Sequence, residues 1–177
     1  MARSRVSLIT PSYQQAAYLE ECINSVHDQG EAVEHIVVDG GSTDGSKGII
    51  ERNGARLAWW CSEKDKGQSD AINKGLSHAT GGIFNWLNSD DALLPGALKR
   101  ACDAFEADPE LLVYGGTLRH LVPGGTRSSN ALNDTRDADR LYIDPVINQP
   151  ATFWRMDVVR AIGGVDPALR YVMDLEL

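Results

Sequence analysis

Short apolar runs rich in β-branched and aromatic residues alternate along this chain with stretches whose apolar residues recur at helical spacing, and that alternation narrows the fold most. Parallel strands need a long crossover, normally a helix, and are then buried on both faces, so such a pattern implies a mostly parallel sheet with helices on both sides. Val6-Ser7-Leu8-Ile9 is predicted as the first strand, broken at Pro11-Ser12, with Tyr18, Leu19, Cys22, Ile23 and Val26 on a helix behind it. His35-Ile36-Val37-Val38 is the second strand, and Ile49 and Ile50 mark a short helix. Leu57-Ala58-Trp59-Trp60 is the third, followed by a helix carrying Ala71, Ile72, Gly75, Leu76 and Ala79 on one face. Ile83 to Leu87 is the fourth. Pro95 suits a helix start, because its missing N–H costs nothing there, and Leu98, Ala101, Cys102 and Phe105 give that helix its stripe. Leu111 to Tyr114 is predicted as a fifth strand, Thr117 to Val122 as an antiparallel one before a turn at Gly124-Gly125, and Asn130 to Arg140 as polar loop. Ala151 to Trp154 is a further strand, and Val158 to Ile162 is a helix stopped by Gly163-Gly164.

The 177 residues, 42% of them hydrophobic, suffice for one domain with a full core and are too few for two ordinary ones. A net charge of -8 argues against a nucleic-acid partner, whose phosphates the field of the chain would repel. No stretch approaches the roughly 18 to 20 apolar residues of a membrane span, and the first residues show no signal region, so a cytoplasmic placement is expected, with peripheral contact at the inner membrane surface as an option. The 3 cysteines form no motif, and the 4 histidines show no metal-ligand spacing.

In an open α/β sheet, ligands bind beyond the carboxyl ends of the strands, so polar residues right after apolar runs are the candidates. Thr10-Pro11-Ser12-Tyr13, Asp39, Cys61-Ser62-Glu63-Lys64-Asp65 and Asn88-Ser89-Asp90-Asp91 all stand in such places. Adjacent carboxylates raise each other's pKa unless a cation offsets them, and hard cations such as Mg²⁺ or Mn²⁺ accept one or two carboxylates together with phosphate oxygens and water. Asp90 and Asp91 fit that chemistry, although Asp90 can equally cap the next helix. Asp39 before Gly40-Gly41 can equally organise a turn, and Asp44 reads as a helix cap. Glu63, Asp65 and Lys66 can be a solvated charged loop, and Trp59, Trp60 and Trp86 read as core. The glycines after the second strand lack the GxGxxG spacing of a dinucleotide enzyme.

Taken in order, Thr10-Pro11-Ser12-Tyr13, Val37-Val38-Asp39-Gly40-Gly41-Ser42-Thr43-Asp44-Gly45, Ser62 to Gly75 and Trp86-Leu87-Asn88-Ser89-Asp90-Asp91 resemble the family 2 glycosyltransferases, particularly bacterial enzymes of cell-surface polysaccharide synthesis. The resemblance implies the GT-A fold and metal-dependent, inverting transfer of a sugar from a nucleotide-diphospho-sugar, usually a UDP-sugar, to a hydroxyl on a saccharide or lipid-linked acceptor. It implies that Pro11, Ser12 and Tyr13 line the nucleotide pocket, that Asp39 bonds the base, and that Glu63, Asp65 and Lys66 close over base and ribose. Asp90 would face the ribose or metal, and Asp91 would ligate the divalent cation, Mn²⁺ or Mg²⁺. Gln149, in the segment Gln149 to Trp154, falls on the acceptor side, and Asp174, in Met173-Asp174-Leu175-Glu176, becomes the general base, with Glu176 as a second candidate. Residues 1–177 then form one domain, nucleotide-binding over 1–115 and acceptor-side over 116–177, and the chain reads as truncated just after Asp174. A binding domain impaired in transfer and a sugar nucleotidyltransferase are the alternatives. The latter is expected to carry a glycine- and base-rich triphosphate loop, which Thr10 to Gln15 does not resemble. The whole reading requires Asp39 and Asp91 to meet at one rim of the sheet.

Overall fold

A computed structural model describes residues 5–30, 33–130 and 148–168. Strands β1 (Val6–Ser12), β2 (Val33–Asp39), β3 (Trp59–Ser62) and β4 (Ile83–Trp86) alternate with helices α1 (Ala16–His27), α2 (Ser46–Asn53) and α3 (Gln68–His78). Helix α4 (Ala97–Ala107), strands β5 (Val113–Gly115), β6 (Thr117–Val122), β7 (Gly125–Asn130) and β8 (Thr152–Arg155), and helix α5 (Met156–Ala161) complete the order. The main sheet runs β3-β2-β1-β4-β8-β5. Its first four strands are mutually parallel, and β8 lies antiparallel between β4 and β5. The α/β reading from hydrophobic periodicity is therefore correct. The hairpin of β6 and β7 forms a separate two-stranded sheet, and β7 occupies a stretch without the alternation that marks a strand.

Side-chain alternation divides the core. Ile9, Ile36, Val38, Phe84, Trp86 and Trp154 face α3 and α5, with Ala71, Ile72, Met156 and Val159 packed on them. On the other face, Val6, Leu8, Ile83 and Phe153 meet Cys22 and Val26 of α1 and Leu98, Ala101, Cys102 and Phe105 of α4. Both faces being apolar explains why the strands read as continuous runs. Helix α3 rides close on the sheet because residue 75 is glycine: a Cβ there would sit 2.6 Å from Ile9 Cγ2. Trp86 and Trp154 stack at 5.4 Å in the core, and Trp59 stacks on His78 at 3.8 Å.

The edge of the sheet at the strand amino ends is sealed by a buried carboxylate. Glu34 accepts from Ser7 Oγ at 2.5 Å, from the Thr80 amide at 2.7 Å and from its hydroxyl at 2.8 Å. Burial pushes the Glu34 carboxyl upward, but these donors outweigh it and hold it below its ordinary value. The opposite edge, at the carboxyl ends of β1 to β4, carries the polar residues singled out from the sequence. Among the described residues no helix is long and apolar enough to cross a membrane.

Candidate active site

At that edge β1 ends in Pro11 and Ser12, in register with Val38 and Asp39 of β2, and Asp39 pairs in turn with Ser62 of β3. Beyond the strand ends lies a cavity of about 550 Å³, lined by Pro11 and Ser12 of β1 and Tyr13 just after it, Asp65 and Gln68 around the start of α3, and Asp90 after β4. Its volume falls in the range of small-ligand sites. Tyr13 stands 63% exposed at the mouth, so its ring is available to cover a flat ligand. Ser12 Oγ is buried and has no hydrogen-bond partner among the described residues, a polar atom left over for a ligand.

Neighbouring loops fix these positions. Gln14 holds a left-handed backbone (φ 55°), rare for a residue with a side chain. Its amide donates to Ser42 Oγ at 2.8 Å, and its side chain exchanges bonds with the Thr43 hydroxyl and amide at 3.1 and 3.2 Å. Asp44 accepts from the Ala16 amide at the start of α1 at 2.8 Å and from Ser46 at the start of α2. The Asp44 carboxyl is accordingly held below its usual range, first by the Ala16 bond and then by Ser46. The cap expected within one helix in fact joins two. On the far side Gln68 Nε2 donates to Asn88 Oδ1 at 2.6 Å, tying the start of α3 to the loop after β4.

Asp39 departs from the expected geometry. It is fully buried, and its carboxylate accepts from Ser42 Oγ at 2.5 Å, the Ser42 amide at 3.0 Å and Ser62 Oγ at 2.7 Å. The turn-forming alternative thus describes its present bonds, and the neighbouring Gly40 lines the cavity instead. A Cβ on Gly40 would lie 2.9 Å from Asp65 Oδ2, so a side chain there would displace the Asp65 carboxylate from its present position. Asp65 does reach the cavity and accepts from the Gly67 amide at 2.9 Å. Glu63 points away, in an exposed ion pair with Lys74 at 2.8 Å, and Lys66 is exposed, its amide bonded to Asp70 at 3.1 Å. Neither lines the cavity. Lys64 and Asn88, which stand in the strand-end segments singled out from the sequence but were given no role there, line it too, as does Gln68 at the start of α3.

A second, larger cavity of about 1420 Å³ meets the first at Asp90 and contains Asp91, Tyr18, Phe153 and the inner part of the β6–β7 hairpin. Asp91 is half-buried, and its carboxyl is pushed up to about 6, first by burial and then by the charge of Asp90, against a smaller pull from His120. A carboxyl pair short of positive charge, with hard oxygen donors, fits a divalent cation. No group of three or more His, Cys, Asp or Glu that could hold a metal occurs among the described residues, so ligands beyond this pair would come from phosphate and water. Gln149 is buried, and its side-chain amide donates to the Trp86 carbonyl, joining the approach to β8 to the end of β4. Asp174 and Glu176 lie outside the described residues.

Residues 7–162 match the family described as Glycosyl transferase family 2. An uncharacterized glycosyltransferase of Mycobacterium tuberculosis is 31% identical over 167 residues, which cover 91% of this chain and 62% of that protein. A PGL/p-HBAD biosynthesis glycosyltransferase of Mycobacterium bovis is 33% identical over 183 residues, covering 98% of this chain and 68% of its own length. The chain thus spans about three fifths to two thirds of these relatives. Among solved structures, Staphylococcus aureus TarS superposes with a TM-score of 0.75 at 20% identity, over 97% of this chain and 32% of TarS. The Pyrobaculum calidifontis mannosyltransferase PcManGT, in complex with GDP-Man and Mn²⁺, gives 0.72 at 23% identity over 96% of this chain and 49% of its own. At these identities the two structures establish the fold, an α/β domain of the GT-A glycosyltransferase type, while the sequence match over most of the chain places it in glycosyl transferase family 2.

Proposed function

We propose that this chain is the donor-binding part of an inverting glycosyltransferase that uses a UDP-sugar and a divalent metal. The observation that carries this reading is the convergence of Pro11 to Tyr13, Asp65 to Gln68 and Asn88 to Asp90 on one cavity whose border with a second cavity is Asp90. A nucleoside fits between Tyr13 and Asp65, with the orphan Ser12 hydroxyl and the Gln68–Asn88 pair supplying polar contacts. Asp39 supports the floor through Ser42 and Ser62, and a shift in either serine would free it to meet a base.

Asp91, with Asp90, is the pair that would hold Mn²⁺ or Mg²⁺. A cation bound there supplies Lewis-acid stabilisation of the leaving diphosphate, worth several kcal/mol. In the transfer, an acceptor hydroxyl oxygen bonds to the anomeric carbon, the bond from that carbon to the diphosphate oxygen breaks, and its electron pair leaves with the nucleotide. The hydroxyl proton passes to Asp174, the base assigned by resemblance, whose help is worth roughly 10² to 10⁴-fold. Attack opposite the nucleotide inverts the anomeric configuration. The division into a nucleotide-binding part, 1–115, and an acceptor-side part, 116–177, follows from the same reading, as does a role in cell-surface saccharide synthesis.

Calorimetric titration with UDP, GDP and dTDP in Mn²⁺, repeated after chelation and on Asp91→Asn, tests the proposal. The expected result is preferential UDP binding that weakens at least about tenfold on chelation and in the variant, since a charge-assisted contact is worth about 1.5–3 kcal/mol. Equal affinities in all three conditions would refute the metal site, and no nucleotide binding would refute the donor reading.

A further inference from the structure

The second cavity is far larger than the donor cavity and is built differently. Its contents come from the exposed side of α1, the Ala92 to Pro95 loop before α4, β5 and the β6–β7 hairpin, with Phe153 of β8 beneath. Because Asp90 borders both cavities and Asp91 opens only into the second, a molecule seated there has one end at the carboxylate pair. His120 lines the same cavity as Asp90 and Asp91.

The rest of the wall is mixed: Glu21, Arg100, Arg119, Thr117, Thr126 and Ser128 contribute polar groups, and large apolar side chains stand among them. Leu93 and Phe153 are buried in it, 8% and 2% exposed, while Tyr18, Leu94 and Leu121 stand at 53%, 37% and 88% exposure. These three come from an α-helix, a loop and a strand far apart in sequence. Folding therefore places large apolar side chains around one opening, on a chain with a net charge of -8 whose surface is otherwise rich in charge. Exposed apolar groups clustered at a cavity, rather than scattered singly, mark a place where apolar matter binds. A purely saccharide acceptor would leave the exposed Leu94 and Leu121 without a complementary partner.

We propose that the second cavity receives the acceptor and that this acceptor carries an apolar aglycone, its glycosylated hydroxyl directed to Asp90 and Asp91 and its hydrocarbon lying against Leu94, Leu121 and Tyr18. The assignment rests on the donor reading above for the identity of the reacting end, while the apolar seat is a property of the cavity itself.

Methyl, hexyl and octyl β-D-glucopyranosides, each kept below its micelle concentration, are suitable probes. Binding is followed by calorimetry and saturation-transfer NMR on the chain, with UDP and Mn²⁺ titrated separately on the same samples. Octyl glucoside is expected to saturate one site, with affinity rising about two- to fourfold per methylene from hexyl to octyl and little binding of the methyl glucoside. The double variant Leu94→Ser/Leu121→Ser, changed at exposed positions so that folding is spared, should weaken octyl binding by about tenfold or more while UDP affinity and Tm stay as in the parent. Affinity independent of chain length, equal binding of the methyl glucoside, or unchanged octyl binding in the double variant would overturn the proposal. So would no binding at all, the outcome expected if a further protein segment covers this surface. Loss of UDP binding with octyl binding intact would instead sink the donor reading and leave the apolar seat standing.

Discussion

Replacing His35 with Gln should relieve the chain of about 2 kcal/mol of acid destabilisation between pH 7 and pH 5. His35 lies fully buried on β2, with Nε2 3.0 Å from Thr10 Oγ1 and Nδ1 3.4 Å from His27 Nε2. Burial first, and then the positive charges of His27 and Arg56, push its pKa from 6.5 to about 3. The nearby Cys22 thiol is pushed up to about 12, chiefly by burial, and carries no compensating charge. The folded chain therefore leaves this imidazole neutral in a range where the unfolded chain protonates it. Stability rises with pH wherever the unfolded state binds more protons, so the contribution is complete above pH 6.5 and is lost progressively as pH falls toward 3. At pH 5, about one and a half units below the unfolded value, the loss is about 2 kcal/mol at 1.36 kcal/mol per unit. That is a large share of the 5–15 kcal/mol typical of a domain. His27 is lowered too, by burial and then Arg56, and adds a smaller loss of the same sign. Asp91, raised to about 6, titrates in this window with the opposite sign, and Glu34 acts only below its ordinary 4.5. All three are common to parent and variant, so the prediction concerns the difference between their slopes. His35→Gln keeps an amide for Thr10 and cannot take a proton. It should be less stable by about 1–2 kcal/mol at pH 7, and that gap should close or reverse by pH 5 in urea unfolding curves. Parallel losses in the two proteins would refute a neutral, buried His35.

Three other perturbations separate the framework from the site. Gly75→Ala forces a Cβ to within 2.6 Å of Ile9 and should cost about 1–3 kcal/mol by pushing α3 off the sheet, read as a lowered urea midpoint with unchanged slope. Asp39→Ala removes the acceptor shared by Ser42 and Ser62 and should cost about 2–4 kcal/mol, visible as a fall in Tm even without nucleotide. Gly40→Ala meets the movable end of Asp65 rather than backbone, so Tm should hardly change. UDP affinity in that variant should drop by about fivefold or more, the worth of one hydrogen bond, in a calorimetric titration.

The sheet, its helices and the edge that carries the site were legible in the sequence because burial on both faces writes itself as uninterrupted apolar runs, as in Ile36 to Val38 and Ile83 to Leu87. The strand-end rule then located Pro11 to Tyr13, Asp65 and Asp90, which do share one cavity. It did not say which way a side chain turns. Asp39 ends β2 and Asp65 follows β3, yet the first is drawn inward by Ser42 and Ser62 while the second stays at the cavity, a choice made by donors as many as 23 residues away. The antiparallel placement of β8 between β4 and β5, the hairpin strand β7 and the opening framed by Tyr18, Leu94 and Leu121 were likewise invisible beforehand. Local periodicity records only whether a residue is buried, whereas strand order and side-chain direction depend on contacts between distant segments. Sequence alone thus determined the α/β architecture and the polar edge of the sheet, and tertiary packing decided which carboxylates reach the cavity and which hold the loops that frame it.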